Sequence, residues 1–290
     1  MIEIRPAKPE EMPRQRELWK LAFGDEDPYI DYFYTHKDAH QVLVLLEDGV
    51  VYTMVALFPV TLTLPGGRTA SSSYIYALAT HPDTRKKGFG RFILSYVDFY
   101  LKSKGKDCVT IVPAEPSLHR FFTTTGFSEC FATRKVELLQ SMVEKPTEGS
   151  SLEPVSPEEY NHLRETLLAG SLHISYEDRL LAYQQGLSQM NGGDLFRLTV
   201  GNAVGIAAAE YLDDDTVMSK ELLFPGKPEA AAALIANRMP AIRYHLRSTP
   251  FREGISGSYL QAFAMVKWYD PQLEKEWRES PRGYMGFGFD

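Results

Sequence analysis

The sequence predicts a mixed α/β chain of two domains, and three observations carry that reading. The chain has 290 residues, which at about 100–200 residues per domain is enough for two cores. Stretches with strand pattern and stretches with helical spacing alternate through both halves. A helical segment also stands between two β-prone segments at 74–80 and 108–112. That βαβ order makes those two strands parallel neighbours.

The elements follow in order. Residues 2–5 alternate briefly. Pro9-Glu10-Glu11 then opens a helix containing Leu18, Trp19 and Leu21, with proline and acids where a helix start favours them. A short aromatic segment, 29–34, ends at His36-Lys37-Asp38. Residues 41–47 (QVLVLLE) are a strand, Asp48-Gly49 is a hairpin turn, and 50–58 is the returning strand. Pro65-Gly66-Gly67 turns the chain into a third strand, 72–80. After Gly88, the apolar residues Phe89, Phe92, Ile93, Tyr96, Val97, Tyr100 and Leu101 fall at helical spacing, and the 102–106 Lys/Gly cluster stops that helix. Residues 108–112 are a short buried strand, with Cys108 in the core. A short helix at 117–125 is stopped by Gly126, and 127–139 is one more strand.

The polar stretch 142–155, with Pro146, Gly149 and Pro154, reads as a linker. It separates a domain at 1–141 from one at 156–290. The second domain repeats the order of the first. Ser156-Pro157-Glu158-Glu159 is a capping box with proline at the first helical position. A helix at 176–187, a strand meander at 193–200, 203–211 and 216–224, a helix at 229–237 and strands at 242–246 and 261–268 follow. The chain ends GYMGFGFD, a glycine-aromatic tail without helical or strand period, which is expected to dock.

Composition limits the function classes. Hydrophobic residues are 44% and charged residues 24%, ordinary values that argue against disorder, collagen and coiled coil. Lys plus Arg is 31 against 38 Asp plus Glu, a formal charge of −7, so a generic nucleic-acid binder is disfavoured. Glu3 precedes any apolar run, which is not a signal-peptide pattern. No uninterrupted apolar stretch reaches 18 residues, so no membrane span is expected. Two cysteines, Cys108 and Cys130, are too few for a disulfide scaffold or a cysteine-based zinc site, and no metal is expected. The expectation is a soluble, cytoplasmic protein.

The residues with the strongest chemical signal are Arg85-Lys86-Lys87-Gly88-Phe89-Gly90, followed by Arg91. Consecutive backbone N–H groups at a helix start, with the helix dipole behind them, favour an anion. Glycines let backbone approach it closely, and four cationic side chains surround it in an acidic chain. A pyrophosphate fits. GxxxxGK[ST] is absent, and GxGxxG does not occur there.

The segment Leu78-Ala79-Thr80-His81-Pro82-Asp83-Thr84-Arg85-Lys86-Lys87-Gly88-Phe89-Gly90 resembles the signature of the GNAT (GCN5-related N-acetyltransferase) superfamily. There [QR]xxGx[GA] holds the pyrophosphate of acetyl-CoA. Glu115, Leu118, Phe121, Phe122, Gly126 and Phe127 fall at the spacing of the family's N-x-x-A-x-x-F-Y-x-x-x-G-F block. The resemblance implies a GNAT fold and an acetyl-CoA-dependent N-acetyltransferase acting on a primary amine by direct attack. Backbone at Leu78, Ala79 and Thr80 would bond the pantetheine arm and thioester carbonyl, and the run from Arg85 to Arg91 would cradle the pyrophosphate.

Three departures leave the catalytic assignment open. The family's acidic tyrosine falls at Phe122, a strand carboxylate falls at Tyr74, and the block's Asn is Glu115. Candidate bases are Glu115 and His119, one helical turn apart. Tyr74 and Tyr76 share a strand face and are expected to pack or position substrate. The second domain has Phe224-Pro225-Gly226-Lys227-Pro228-Glu229 at the matching junction. It is expected to be degenerate, without cofactor, forming a wall of the acceptor site or a dimer surface. Tandem domains of this kind resemble the amino part of the mycobacterial enhanced-intracellular-survival acetyltransferases. By that analogy the tail would bring Asp290 toward the cleft. The acceptor would be a small-molecule or peptide amine. A non-catalytic acyl-CoA-binding or scaffold protein, or another acyl or aminoacyl transferase, remains open.

Overall fold

The computed structural model describes residues 1–278 and 282–289. In chain order the elements are β1 (Ile2–Pro6), α1 (Met12–Phe23), α2 (Asp27–Thr35), β2 (Gln41–Glu47), β3 (Val50–Thr63), β4 (Thr69–Thr80), α3 (Phe89–Ser103), β5 (Cys108–Ile111), α4 (Pro116–Thr123) and β6 (Ser128–Leu139). There follow β7 (Ser151–Pro154), α5 (Pro157–Leu168), β8 (His173–Ser175), α6 (Asp178–Met190), β9 (Asp194–Val200), β10 (Ala203–Asp213), β11 (Thr216–Leu223), α7 (Pro228–Arg238), β12 (Arg243–Ser248), β13 (Tyr259–Trp268) and α8 (Pro271–Arg278).

The chain groups into two compact units that are discontinuous in sequence. The first contains Met1–Thr61, Ala70–Glu129 and Ala264–Glu276. Its strands run in the order β1, β2, β3, β4, β5 and then the second half of β13. β1–β2 and β2–β3 are antiparallel, β4–β5 is parallel, and β5 pairs antiparallel with β13, Ile111 facing Met265. The β2–β3 hairpin closes through Asp48 and Gly49, both at positive φ (51° and 81°), as a two-residue turn between twisted strands requires. On one sheet face Leu43, Leu45, Val55, Leu57 and Ile75 pack with Phe89, Ile93, Val97 and Leu101 of α3. Those helix positions recur at three- and four-residue spacing, so α3 buries one apolar stripe. Trp19, Phe33, Phe58, Tyr74 and Tyr76 form a separate aromatic cluster, with Trp19 and Phe33 ring centroids 4.6 Å apart.

The second unit contains Leu62–Thr69, Cys130–Phe263 and the described residues from Trp277 on. Its strand order is β6, β12, β11, β10, β9, β7. β9, β10 and β11 are an antiparallel meander, and β11 and β12, joined through α7, are parallel. This repeats the meander–helix–parallel-strand order of β2 through β5. Leu198, Ala207, Val217 and Leu246 from the sheet pack with Leu234 and Ile235 of α7.

The tail docks within this unit. Tyr284 donates its N–H to the Leu172 carbonyl and accepts from Ile174, and Tyr284, Met285, Phe287 and Phe289 are buried. Arg164, wholly buried, reaches both Glu221 carboxylate oxygens at 3.1 Å and donates to the carbonyls of Ile174 and Met285. Tyr160 donates to Glu221 at 2.9 Å, and Tyr176 to Met285 O at 2.8 Å. The buried charges are therefore paired and further hydrogen-bonded, the condition under which burial is tolerable.

Several elements differ from the sequence reading. β3 and β4 are longer than expected, because the Pro65-Gly66-Gly67 turn lets pairing run to Thr63 and resume at Thr69. The 29–34 segment belongs to a helix, α2. Ser151–Pro154, inside the expected linker, pairs with β9. β8 and α8 were not anticipated. Residues 264–268 of the last strand belong to the first unit, where they pair with β5. Asp290 lies outside the described residues.

Candidate functional site

The parallel β4–β5 register spans only Tyr74–Thr110 and Ile75–Ile111. β5 then ends, whereas β4 continues to Thr80. The departure coincides with Ala77, at φ 48°, a left-handed conformation that costs a non-glycine residue about 1–2 kcal/mol. Such a residue inside a strand re-aims the chain, as bulges do beside functional sites. From there β3 holds β4 on one side: His81 donates its N–H to Tyr52 O at 2.8 Å, and the Thr53 and Thr80 hydroxyls are 3.2 Å apart. The opposite edge of Leu78, Ala79 and Thr80 is not paired by β5, and an edge of this kind can bond an extended chain.

Past Thr80 the chain makes a tight turn. Pro82–Thr84 is one 3-10 turn, with the His81 ring nitrogen Nδ1 accepting from Asp83 N–H at 3.3 Å. Thr84 is buried, and its hydroxyl donates to His81 O at 3.0 Å. Lys86 (φ 74°) and Gly88 (φ 83°) are both left-handed. The N–H groups of Arg91 and Phe92 both donate to Gly88 O at 3.0 Å. Those of Gly88, Phe89 and Gly90 precede these first helical bonds and sit at the positive end of α3.

The two glycines have different reasons. Gly88 is required by its φ. Gly90 has an ordinary φ, and a Cβ built on it meets nothing within 4 Å. Nothing in the chain itself calls for glycine there, although glycine in a helix costs about 0.5–1 kcal/mol relative to alanine. The space above the first turn of α3 is open, as a backbone-approaching anion would need. Arg85, Lys86, Lys87 and Arg91 are exposed around it. Lys87 pairs with Glu47 at 2.9 Å and lies over the Phe89 ring, while Arg91 lies over Phe121 and donates to Thr124 at 2.9 Å.

α4 begins immediately after β5, at the end where β4 and β5 part. Glu115 is its N-cap residue, exposed, and accepts from the Ser117 hydroxyl at 3.1 Å. His119 is partly buried one turn on. Its carboxylate partner is Glu129 of β6, Nδ1 to Oε1 at 2.7 Å, rather than Glu115. Glu129 had no signal in the sequence, because an i to i+10 contact across a turn leaves no periodic trace. Ala77 had none either. Phe122 is buried against Phe121 and Phe127. Tyr74 and Tyr76 are neighbours, with centroids 5.9 Å apart, and the Tyr76 and Tyr29 hydroxyls are hydrogen-bonded. Cys108 is buried, which pushes its thiol up to about 12.

The matching junction in the second unit is built differently. A Cβ on Gly226, two residues before α7, would come within 2.6 Å of the Phe224 ring, and Lys227 and Glu229 stand where α3 has Gly88 and Gly90. Pro228 opens α7 without an N–H. Among the described residues no group of three or more His, Cys, Asp or Glu side chains could hold a metal ion, and no helix is long and apolar enough to cross a membrane.

Residues 3–128 match a family model described as an acetyltransferase (GNAT) domain. No curated protein matches the chain in sequence. Among solved structures, a probable N-acyltransferase from Enterococcus faecalis V583 is 14% identical. That match covers 92% of this chain and 72% of that one, with a TM-score of 0.74. Eis1 from Mycobacterium abscessus is 13% identical over 92% and 74% of the two chains, with a TM-score of 0.64. A tandem GNAT protein from the clavulanic acid biosynthesis pathway is 14% identical over 93% and 99%, with a TM-score of 0.57. At these identities the likeness is one of fold.

Proposed function

We propose that this chain, whose residues 3–128 match a GNAT acetyltransferase domain and whose fold is that of tandem GNAT structures, is an acetyl-CoA-dependent N-acetyltransferase acting on a primary amine. One observation carries the reading: a helix start with left-handed Gly88 as its N-cap, open space beside Gly90, and the exposed cations Arg85, Lys86, Lys87 and Arg91 in the same run. The residues present fit a diphosphate, since free backbone donors, the helix dipole and side-chain cations come together at the start of α3. Bound acetyl-CoA would supply an activated acetyl group as a thioester.

The protein's own part is to hold and orient. The run from Arg85 to Arg91, including Phe89 N–H, binds the diphosphate. The unpaired edge of Leu78, Ala79 and Thr80 bonds the arm and directs a backbone N–H at the carbonyl whose dipole grows during attack. A base, Glu115 or His119, takes a proton from the acceptor ammonium. The acceptor is a small-molecule or peptide amine, and the setting is the cytoplasm.

A second reading, a non-catalytic acyl-CoA-binding protein, is favoured by Phe122, which has no proton to give the departing sulfur. A thiolate leaves without much help, so the two readings part on turnover alone. The test is release of free coenzyme A from acetyl-CoA with a panel of primary amines, alongside calorimetry on wild type and Gly88→Pro. Transfer predicts amine-dependent release and loss of binding in Gly88→Pro. Binding without release supports the second reading.

A further inference from the structure

We propose that His119 and Glu129 form a working dyad, in which Glu129 is a positioning residue that presents His119 as the base taking the acceptor's proton. This rests on the acetyltransferase reading above. It chooses between the two candidate bases and adds a residue that neither the motif nor its spacing contains.

The argument is geometric. His119 Nδ1 lies 2.7 Å from Glu129 Oε1. An ionised carboxylate can only accept, so Nδ1 carries the proton, and the neutral ring has its lone pair on Nε2. Glu129 thus selects the tautomer a base needs and fixes the plane of the ring, as the orienting carboxylate does in other nucleophile–base–acid arrangements. The second carboxylate oxygen, Oε2, has no hydrogen-bond partner among the described residues, and the Glu129 side chain is 37% exposed. Glu115, by contrast, is exposed and bonded to Ser117.

The surroundings agree with this choice. The His119 side chain is 18% exposed, shielded but reachable, in the first turn of the helix that follows β5 directly. The other charged groups near it are Glu115 and Arg120 on its own segment. Arg91 of α3 reaches the next turn at Thr124, and Lys267 of β13 reaches the carbonyl of Thr125. Among the described residues, Glu129 is the one recorded as bonding the ring.

The chemistry balances. The acceptor ammonium gives one proton to Nε2, and the freed nitrogen pair forms the bond to the acetyl carbon. The carbon–sulfur bond breaks with its pair going to sulfur. The second nitrogen proton is lost as the amide forms, sulfur takes up a proton, and His119 returns its own to water.

The test compares wild type with His119→Gln, Glu129→Gln and Glu129→Ala. The measurements are steady-state kinetics with a reactive amine, melting temperature, and ¹⁵N spectra of the His119 ring under conditions where it is neutral. In wild type the ring shows protonated Nδ1 and unprotonated Nε2. In Glu129→Gln that preference is lost, because the amide can also donate. His119→Gln lowers kcat by about 10²-fold or more. Both Glu129 variants lower kcat severalfold or more, with the KM for acetyl-CoA within about twofold of wild type and melting preserved. Wild-type kcat in His119→Gln, or an unchanged tautomer and kcat in Glu129→Gln, overturns the dyad while the acetyltransferase reading stands. No amine-dependent coenzyme A release from wild type overturns that reading, and the dyad's role with it.

Discussion

Gly90 tests how closely the diphosphate must approach the backbone of α3. Its φ is ordinary and its missing Cβ would touch nothing, so Gly90→Ala is expected to raise stability by about 0.5–1 kcal/mol. The pattern [QR]xxGx[GA] accepts alanine at this place, so coenzyme A affinity should stay within about twofold of wild type. Calorimetric melting without ligand and titration with coenzyme A measure the two effects separately. A tenfold loss of affinity in this variant would mean that the anion needs bare backbone at position 90, against the pattern. His40 gives a second residue-scale prediction. Its ring stacks on Phe33 with centroids 3.8 Å apart, and its buried Nδ1 has no partner among the described residues. Burial, with a smaller contribution from the nearby His36, holds its pKa near 4 against an ordinary 6.5. A histidine depressed in the fold binds its proton more readily when unfolded. Its contribution is therefore intact above about pH 6.5 and is lost as pH falls toward 4, by up to about 3 kcal/mol. His40→Phe should flatten that part of the stability–pH curve. If urea midpoints from pH 7 to 4.5 fall equally in both proteins, His40 is not buried neutral.

At the scale of elements, legibility followed periodicity. β2, α3 and the parallel β4–β5 pair could be read because alternation, a 3.6-residue stripe and a connecting helix each leave a pattern. The cradle could be read because glycines and cations are adjacent in sequence. The parting of β4 from β5 could not, since Ala77 looks like any strand residue until its φ is seen. The His119–Glu129 pair could not either, and nor could the place of 264–268, because pairing partners across long separations carry no local signal. The tail was legible only as something that must dock. Its seat explains its composition: a Cβ on Gly286 would lie 2.4 Å from Glu221 Oε1, at a φ of +84°. Gly286→Ala should therefore destabilise the second unit by about 1–3 kcal/mol or more. Urea unfolding followed by the signals of Tyr160 and Tyr176 reports this. An unchanged midpoint would show that the tail is not seated against the Arg164–Glu221 pair.

For the whole molecule, two units share one order of meander, helix and parallel strand, yet their strand-to-helix junctions differ. One opens on left-handed Gly88 with Gly90 in its first helical turn, and the other has Lys227 and Glu229 at those places and begins α7 on proline. A single diphosphate site per chain is therefore expected, in the first unit. A ligand at 100 times its Kd adds about 2.7 kcal/mol to the state it binds, so saturating coenzyme A should raise the first unit's melting. The most direct test is a titration of the intact chain with coenzyme A, read by calorimetry and by backbone amide spectra. The account predicts one site per chain, with the largest shifts at Lys86–Arg91 and along Leu78–Thr80. Absence of heat and of shifts in those two segments, or saturation centred on the 224–229 junction, would contradict it.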